Sequence, residues 1–338
     1  FHGDTRFMGS AYLGAGSAAG INGANGGRID FFDRSSHDTT SFDLASGSLG
    51  IYNVGAVVSG AGGGALVFHD DSAIRGAHLF IANQTAEFIA PGAFAGSTSF
   101  LDRSRAGQVA IENAGAGGAG AAGGMTGFRN QASADHATIT SLGGFADGGA
   151  GGSTQFSDSA SAGAASLLNA GGSAAGALGG TLEFRNTARA GTATIVNAPG
   201  EVVGAAGGVT TFAQDAGAGN AIISNQSSLG VGGGGRGTLV FRDSSSAQNA
   251  VIDNQGGRQL INGFTLFSQS TTAGNASITN FGGSAAGASG GLTQFLDRST
   301  AGSATLVMAG GGVDGALGGA TVFFADATAG SATFDVRG

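Results

Sequence analysis

Lysine, cysteine and tryptophan are missing altogether from this 338-residue chain, and proline and tyrosine occur only twice each. Each absence removes a class of protein. Without cysteine there is no disulfide framework and no thiolate metal site. Without lysine all fourteen basic residues are arginine, and against 22 acidic residues they leave a net charge of −8. The arginines are scattered, so the clustered cations that neutralise a phosphate backbone or an anionic bilayer are lacking, and neither nucleic acid binding nor membrane insertion is expected. No apolar run reaches the length of a transmembrane helix. The opening stretch FHGDTRFMGS has neither an initiating Met nor the charged-then-apolar layout of a secretion signal, and reads as a processed or excised start.

Glycine, by contrast, contributes 69 residues. A strict Gly-X-Y period is absent, which excludes collagen, and Phe, Ile, Leu and Val return at fixed places, which excludes a disordered tract. Those places belong to a repeat: GGSTQFSDSASAGAASLLNAGG at 151–172 is echoed by GGTLEFRNTARAGTATIVNAPG at 179–200 and GGLTQFLDRSTAGSATLVMAGG at 290–311. Taking the phenylalanine as anchor gives Phe100, Phe128, Phe156, Phe184, Phe212, Phe241, Phe267, Phe295 and Phe323, spaced by 28 residues apart from one step of 29 and one of 26. Earlier anchors at Phe7, Phe31 and Phe68 are irregularly spaced. Residues 1–99 are therefore expected to form irregular coils, and 100–338 the regular part of one continuous elongated domain.

Within a repeat the apolar pattern has period two, as in Thr154, Phe156 and again in Ala165, Leu167, Asn169, which means strands. No segment carries a helical stripe. A 28-residue unit with two strands and a Gly/Ala-rich third side matches one coil of a parallel β-helix, in which equivalent residues lie above one another at about 4.8 Å. The expected fold is all-β, a right-handed parallel β-solenoid, the hand following from the preference of parallel crossovers. The phenylalanines are expected to form one internal ladder. Asn113, Asn169, Asn197, Asn225, Asn254 and Asn280 are expected to form another, at a corner, with amides bonded coil to coil. The column Gly120, Gly148, Gly176, Gly204, Gly232, Gly287 and Gly315 reads either as a bend with positive φ or as a thin packing face.

The repeat Thr-x-Phe-x-Asp-x-Ser-x-Ala-Gly-x-Ala-x-Ile-x-Asn, as in LFSQSTTAGNASITN and TQFLDRSTAGSATLV, resembles the β-strand repeats of large Gram-negative exoproteins, including autotransporter passengers and adhesins. The likeness covers nearly the whole chain. It implies export across the outer membrane, a right-handed β-helix and a place at the bacterial cell surface. The chain departs from a full autotransporter in showing no signal peptide and no translocator-barrel strands.

Catalytic chemistry is sought and not found. Asp33, Asp70, Asp102, Asp158, Asp243 and Asp297 share one repeat position with Asn130, Asn186, Gln214 and Gln269. Such interchange suits a corner that caps backbone N–H groups and not a general acid. All five histidines precede residue 137, and His37, His69, Asp70 and Asp71 are the best candidates for a metal, though at no recognised spacing. No cofactor is expected. Asn-x-Ser/Thr triplets at Asn83, Asn225 and Asn275 are taken as chance occurrences, and an ice-binding array of Thr138, Thr194, Thr305 and Thr333 is interrupted by Ala110, Ile222 and Val251.

The expectation is thus a non-enzymatic, extracellular structural protein, a fibre, stalk or filament with an adhesive role, its partners being copies of itself and host or matrix surface ligands. Head-to-tail stacking is expected to join Phe1 and Phe7 of one copy to Phe323 and Phe334 of another, because uncapped parallel coils present unpaired backbone groups. The alternative is a carbohydrate-binding or carbohydrate-cleaving β-helix, which aromatic residues on the exposed sides would favour, but without Trp and with only Tyr12 and Tyr52 it is poorly supplied.

Overall fold

The computed structural model describes residues 5–7, 11–15, 26–32, 41–44, 49–56, 61–75, 79–85, 93–228 and 233–338. Among them every regular element is a strand, and strand pairs with strand only in parallel. Eleven strands stack into one sheet, from Arg28–Phe31 to Ala320–Phe323, and twelve into a second, from Ala11–Ala15 to Thr333–Val336. The chain visits the two alternately, so each coil adds one strand to each. Register is strict: Phe128 lies beside Phe156, Phe156 beside Phe184, and Asn197 beside Asn225. The chain is a β-solenoid of stacked coils about 28 residues apart.

Alternation decides which side chains enter the core. In Ser153–Phe156, Thr154 and Phe156 are buried while their neighbours are partly exposed, and in Thr194–Asn197 the buried pair is Ile195 and Asn197. From Phe31 to Phe323 the anchor rings form a single stack of eleven, with neighbouring centroids 4.6–5.1 Å apart and planes within 14° of parallel. Each buried ring contributes on the order of 1.5–3 kcal/mol by leaving water. Stacking adds about 0.5–1.5 kcal/mol per pair. Small alanines such as Ala188, Ala190 and Ala193 fill the narrow space behind the corner.

The corner between the two sheets turns at two left-handed residues. The first is the Asp/Asn/Gln position: ten residues from Asp70 to Ala325 have φ of 55–62°. Asn and Asp tolerate this region because their short polar side chains bond locally. Here the bonds run between coils. The Asn130 N–H donates to Asp158 Oδ2 (3.1 Å) and the Asn130 amide to Asp102 Oδ1 (3.0 Å). The second turn is glycine in most coils, as at Gly163 (φ 63°), whose N–H donates to Ser161 Oγ (3.0 Å). Gly217 supplies no hydroxyl to its own coil, and Gln248 of the following coil accepts the Gly219 N–H instead (2.8 Å). Single bridges such as Ser161↔Arg189 and Arg189↔Gly217 continue coil to coil along this side.

The glycine-rich segment, expected as a third side of the coil, folds out of it. It leaves the body as a narrow fin, closed at its neck by Gly180 N–H to Ala170 C=O (2.7 Å), a bond repeated at Gly152 and Leu142, Gly208 and Ala198, and Gly291 and Phe281. Its two legs bond to the fins of the neighbouring coils, as in Ser173 N to Gly144 O, Leu178 N to Gly149 O and Gly172 N to Ala206 O (2.8–2.9 Å). Backbone lies on backbone: a Cβ on Gly172 would stand 2.6 Å from the Ala177 oxygen. The column from Gly120 to Gly315 is the bend at the fin tip, its six described members having φ of 67–80°, while Gly232 lies outside the described residues. The column is therefore the bend, and close backbone packing belongs to other glycines, such as Gly172.

Phe7 is a correction. Its strand, Thr5–Phe7, pairs with Ser41–Leu44 in a three-stranded sheet on the corner side, which ends with Ala73–Arg75, and Phe7 stands opposite Leu44. It is no rung of the phenylalanine stack, whose first described ring is Phe31. The Thr-Arg-Phe triplet imitates the anchor locally, but long-range pairing assigns the strand to another side. Phe1 lies outside the described residues.

Candidate functional site

The most ordered polar construction in the molecule is internal. Each Asn that ends a strand of the twelve-stranded sheet is buried, and its amide donates to the next: Asn169 to Asn197, Asn197 to Asn225, Asn225 to Asn254 and Asn254 to Asn280, all at 2.8 Å. The ladder starts earlier than the sequence reading placed it, with Asn53 donating to Asn83 (2.7 Å) and Asn83 to Asn113 (2.8 Å). A facing column of buried threonines completes it. Thr126 Oγ1 donates to Asn113 Oδ1 (2.8 Å) and Thr210 Oγ1 to Asn197 Oδ1 (2.7 Å). Where the coil carries Leu66 in place of Thr, Asn53 Oδ1 is left without a partner. Ser141 replaces one Asn, and the bond from Asn113 stretches to 3.5 Å. This array is structural, and the triplets at Asn83 and Asn225 are consumed by it.

The metal candidates are drawn into separate contacts. His69 Nε2 lies 2.9 Å from Asp30 Oδ1 and the ring stacks on Phe32 at 4.2 Å. Asp71 holds Arg103 through two bonds of 2.6 and 2.7 Å, Asp70 turns the first corner, and His37 lies outside the described residues. Among the described residues no group of three or more His, Asp or Glu side chains is placed to hold an ion. Hydrogen bonding to Arg28 holds Asp30 below the usual carboxylate range, and Arg103 does the same for Asp71. Burial pushes Asp253 up and Arg236 down, the latter lying 3.8 Å over the Phe264 ring.

On the outer surfaces, the threonines at 138, 194, 305 and 333 share one column with Ala110, Ser166, Ile222, Val251 and Ser277. The other face carries Glu183, which bridges Arg185 (2.5 Å) and Arg242 (2.9 Å). Phe323 ends the ring stack and meets Phe334 edge-on at 6.2 Å, with Phe334 itself exposed.

One surface feature breaks the repeat. Immediately after each inner Asn, where the twelve-stranded sheet meets the fin, a seam runs along the rod. Its residues are Val54 and Gln84 in the early coils and Ala114, Leu142, Ala170, Ala198 and Ala309 in five later ones, but Gln226, Gln255 and Phe281 in three successive ones. There the seam opens into a groove of about 880 Å³, walled by Ser224 of the sheet and by Glu201 and Ser284 of the fin. Nearer the chain's start the same seam holds a smaller recess of about 450 Å³, where Tyr52 lies edge-on to Phe80 (6.3 Å) above Glu112. Gln226, Gln255 and Phe281 each stand fourteen positions after a phenylalanine anchor, so the departures are visible in the sequence once that position is compared between coils. Compared with family models, with curated proteins and with solved structures, the chain matches none.

Proposed function

We propose that the protein is a structural rod of a bacterial cell surface, a stalk or fibre segment that holds adhesive surfaces away from the cell. The observation that supports this reading most is the continuity of the ladders. Ring stack, amide ladder and corner bridges run coil to coil in one register, from the early irregular coils into the regular ones. Nothing in such a stack sets a length, because each coil presents the next with the same row of backbone groups. A further coil supplied by another copy would add in the same register, which is the basis for end-to-end filaments. The resemblance to exported β-strand repeats supports the surface location.

Eleven stacked rings and twelve stacked strands correspond to a rod of roughly 50–60 Å at the interstrand spacing. Small-angle scattering of the purified chain is expected to give an elongated particle. Sedimentation at rising concentration, followed by negative-stain imaging, is expected to show thin filaments one coil wide. A compact particle would remove the rod, and a monomer at every concentration would remove the filament while leaving the rod standing.

A further inference from the structure

The geometry points to a binding site for a neutral polysaccharide in the seam groove formed by Gln226, Gln255 and Phe281. The departure from the repeat comes first. Three other coils, after Asn113, Asn169 and Asn197, satisfy the same ladders with alanine at this place, and the three replacements project from the body instead of entering it, so the fold does not require them. The chemistry comes next. Two primary amides offer both donors and acceptors, Ser224 and Ser284 add hydroxyls, and Glu201 adds a carboxylate acceptor. The Phe281 ring is 37% exposed and supplies an apolar plate beside them. An apolar plate among a few convergent polar groups is the composition of a small-molecule site. It matches a pyranose, which has a C–H face and a rim of hydroxyls. Neither amide and not Glu201 has a hydrogen-bond or ion-pair partner among the described residues, so their bonding capacity is free for a ligand.

Charge selects among sugars. No Arg or His lines the groove, Glu201 stands at its wall and the chain carries −8, so uronates, sulfated glycans and nucleic acids are repelled. Spacing selects orientation. Successive coils offer one large seam side chain each at about 4.8 Å intervals. That rise is close to one sugar of an extended chain, so the polysaccharide lies along the rod axis and touches one residue per coil. The site concerns recognition only, and it stands whether or not rods join end to end.

The test is calorimetric titration of the full chain with cellohexaose, laminarihexaose and chitohexaose, with hexagalacturonate as the acidic control. At least one neutral hexasaccharide is expected to bind, and hexagalacturonate is not. The triple variant Gln226→Ala, Gln255→Ala, Phe281→Ala gives these coils the alanine found at 114, 170 and 198. It is expected to melt as the parent does and to bind at least about tenfold more weakly, a loss of about 1.4 kcal/mol. Phe281→Ala alone is a fallback expected to weaken binding in the same direction. The inference is overturned if no neutral hexasaccharide binds, if the alanine variants bind as the parent does, or if hexagalacturonate binds equally well.

Discussion

The early and later coils use the same ladders but place their freedom in different segments. From Phe100 onward the span from anchor to ladder-ending residue is thirteen residues in every coil, as from Phe184 to Asn197, and all variation falls in the fin, which is longer by one before Phe241 and shorter by two before Phe267. In the early coils the same span is twenty-two residues from Phe31 to Asn53 and fifteen from Phe68 to Asn83. There the corner side carries the strands Ser41–Leu44 and Ala73–Arg75, where later coils keep a single bridge. The comparison teaches that rung register is inviolable while the connections are not. A long corner becomes a strand, and a short one is reduced to two left-handed turns around a row of alanines.

The strongest way to break the comparison is to alter the constant span. Deleting Thr192 shifts Thr194–Asn197 by one residue and turns Ile195 and Asn197 outward. Loss of the cooperative thermal transition, or a fall of its midpoint by more than 10 °C or so, is expected from circular dichroism. Inserting one residue beside Gly204, at the fin tip, is expected to move stability by no more than about 1 kcal/mol. Next in size is the ring stack. Phe184→Asp puts a carboxylate among stacked rings and is expected to cost several kcal/mol in urea unfolding. Arg185→Asp removes a surface ion pair with Glu183 and is expected to cost about 1 kcal/mol or less.

Smaller effects separate the two regions more finely. Asn197→Leu leaves the Asn169 amide and the Thr210 hydroxyl short of an acceptor, and a loss of about 2–4 kcal/mol is expected. At the inner corner Ala132, Ala160, Ala188 and Ala216 stand where Ser72 and Ser104 bury hydroxyls that find no partner, while Ser245, Thr271 and Ser299 donate theirs to backbone carbonyls. Ser104→Ala is therefore expected to stabilise by about 1 kcal/mol, and Ser245→Ala, which gives up a satisfied bond, to destabilise by a similar amount.

The smallest effect concerns acid. Asp30 and Asp71, in the early coils, are held low by arginine partners, so the stability they contribute is present above the unfolded carboxylate pKa and is lost as pH falls through their folded values. Asp253, in the regular coils, is raised by burial. Its contribution has the opposite sign, full below the unfolded pKa and lost as pH rises through the folded one. Hydrogen exchange measured along the chain is expected to show the early coils loosening on acidification before the region around Asp253 does. Uniform loosening would refute the contrast.

Much of this was legible because a solenoid writes its contacts as a period. Phe184, Ile195 and Asn197 announce their places by recurring, and the Asp/Asn/Gln interchange announces a corner. What the period hid was whatever one coil does alone or a second column does in partnership. Thr126 and Thr210 read as ordinary strand residues, yet they complete the amide ladder across the core. Asn53 and Asn83 stand in coils of irregular length and escaped an alignment anchored on phenylalanine. The fin was unreadable because glycine carries no side chain whose pattern could show two backbone layers in contact. Gln226, Gln255 and Phe281 share one repeat position, but only the seam shows that they line one groove.

The thirteen-residue span has a consequence for how such a protein changes over generations. When two repeats of its gene recombine out of step by a whole coil, every inward residue stays inward and the product is a rod longer or shorter by one rung. A shift of one residue within a span reverses the faces of the strand that ends it. Length is therefore inherited in whole rungs, and selection can tune the reach of the rod by counting copies, without testing a new packing each time.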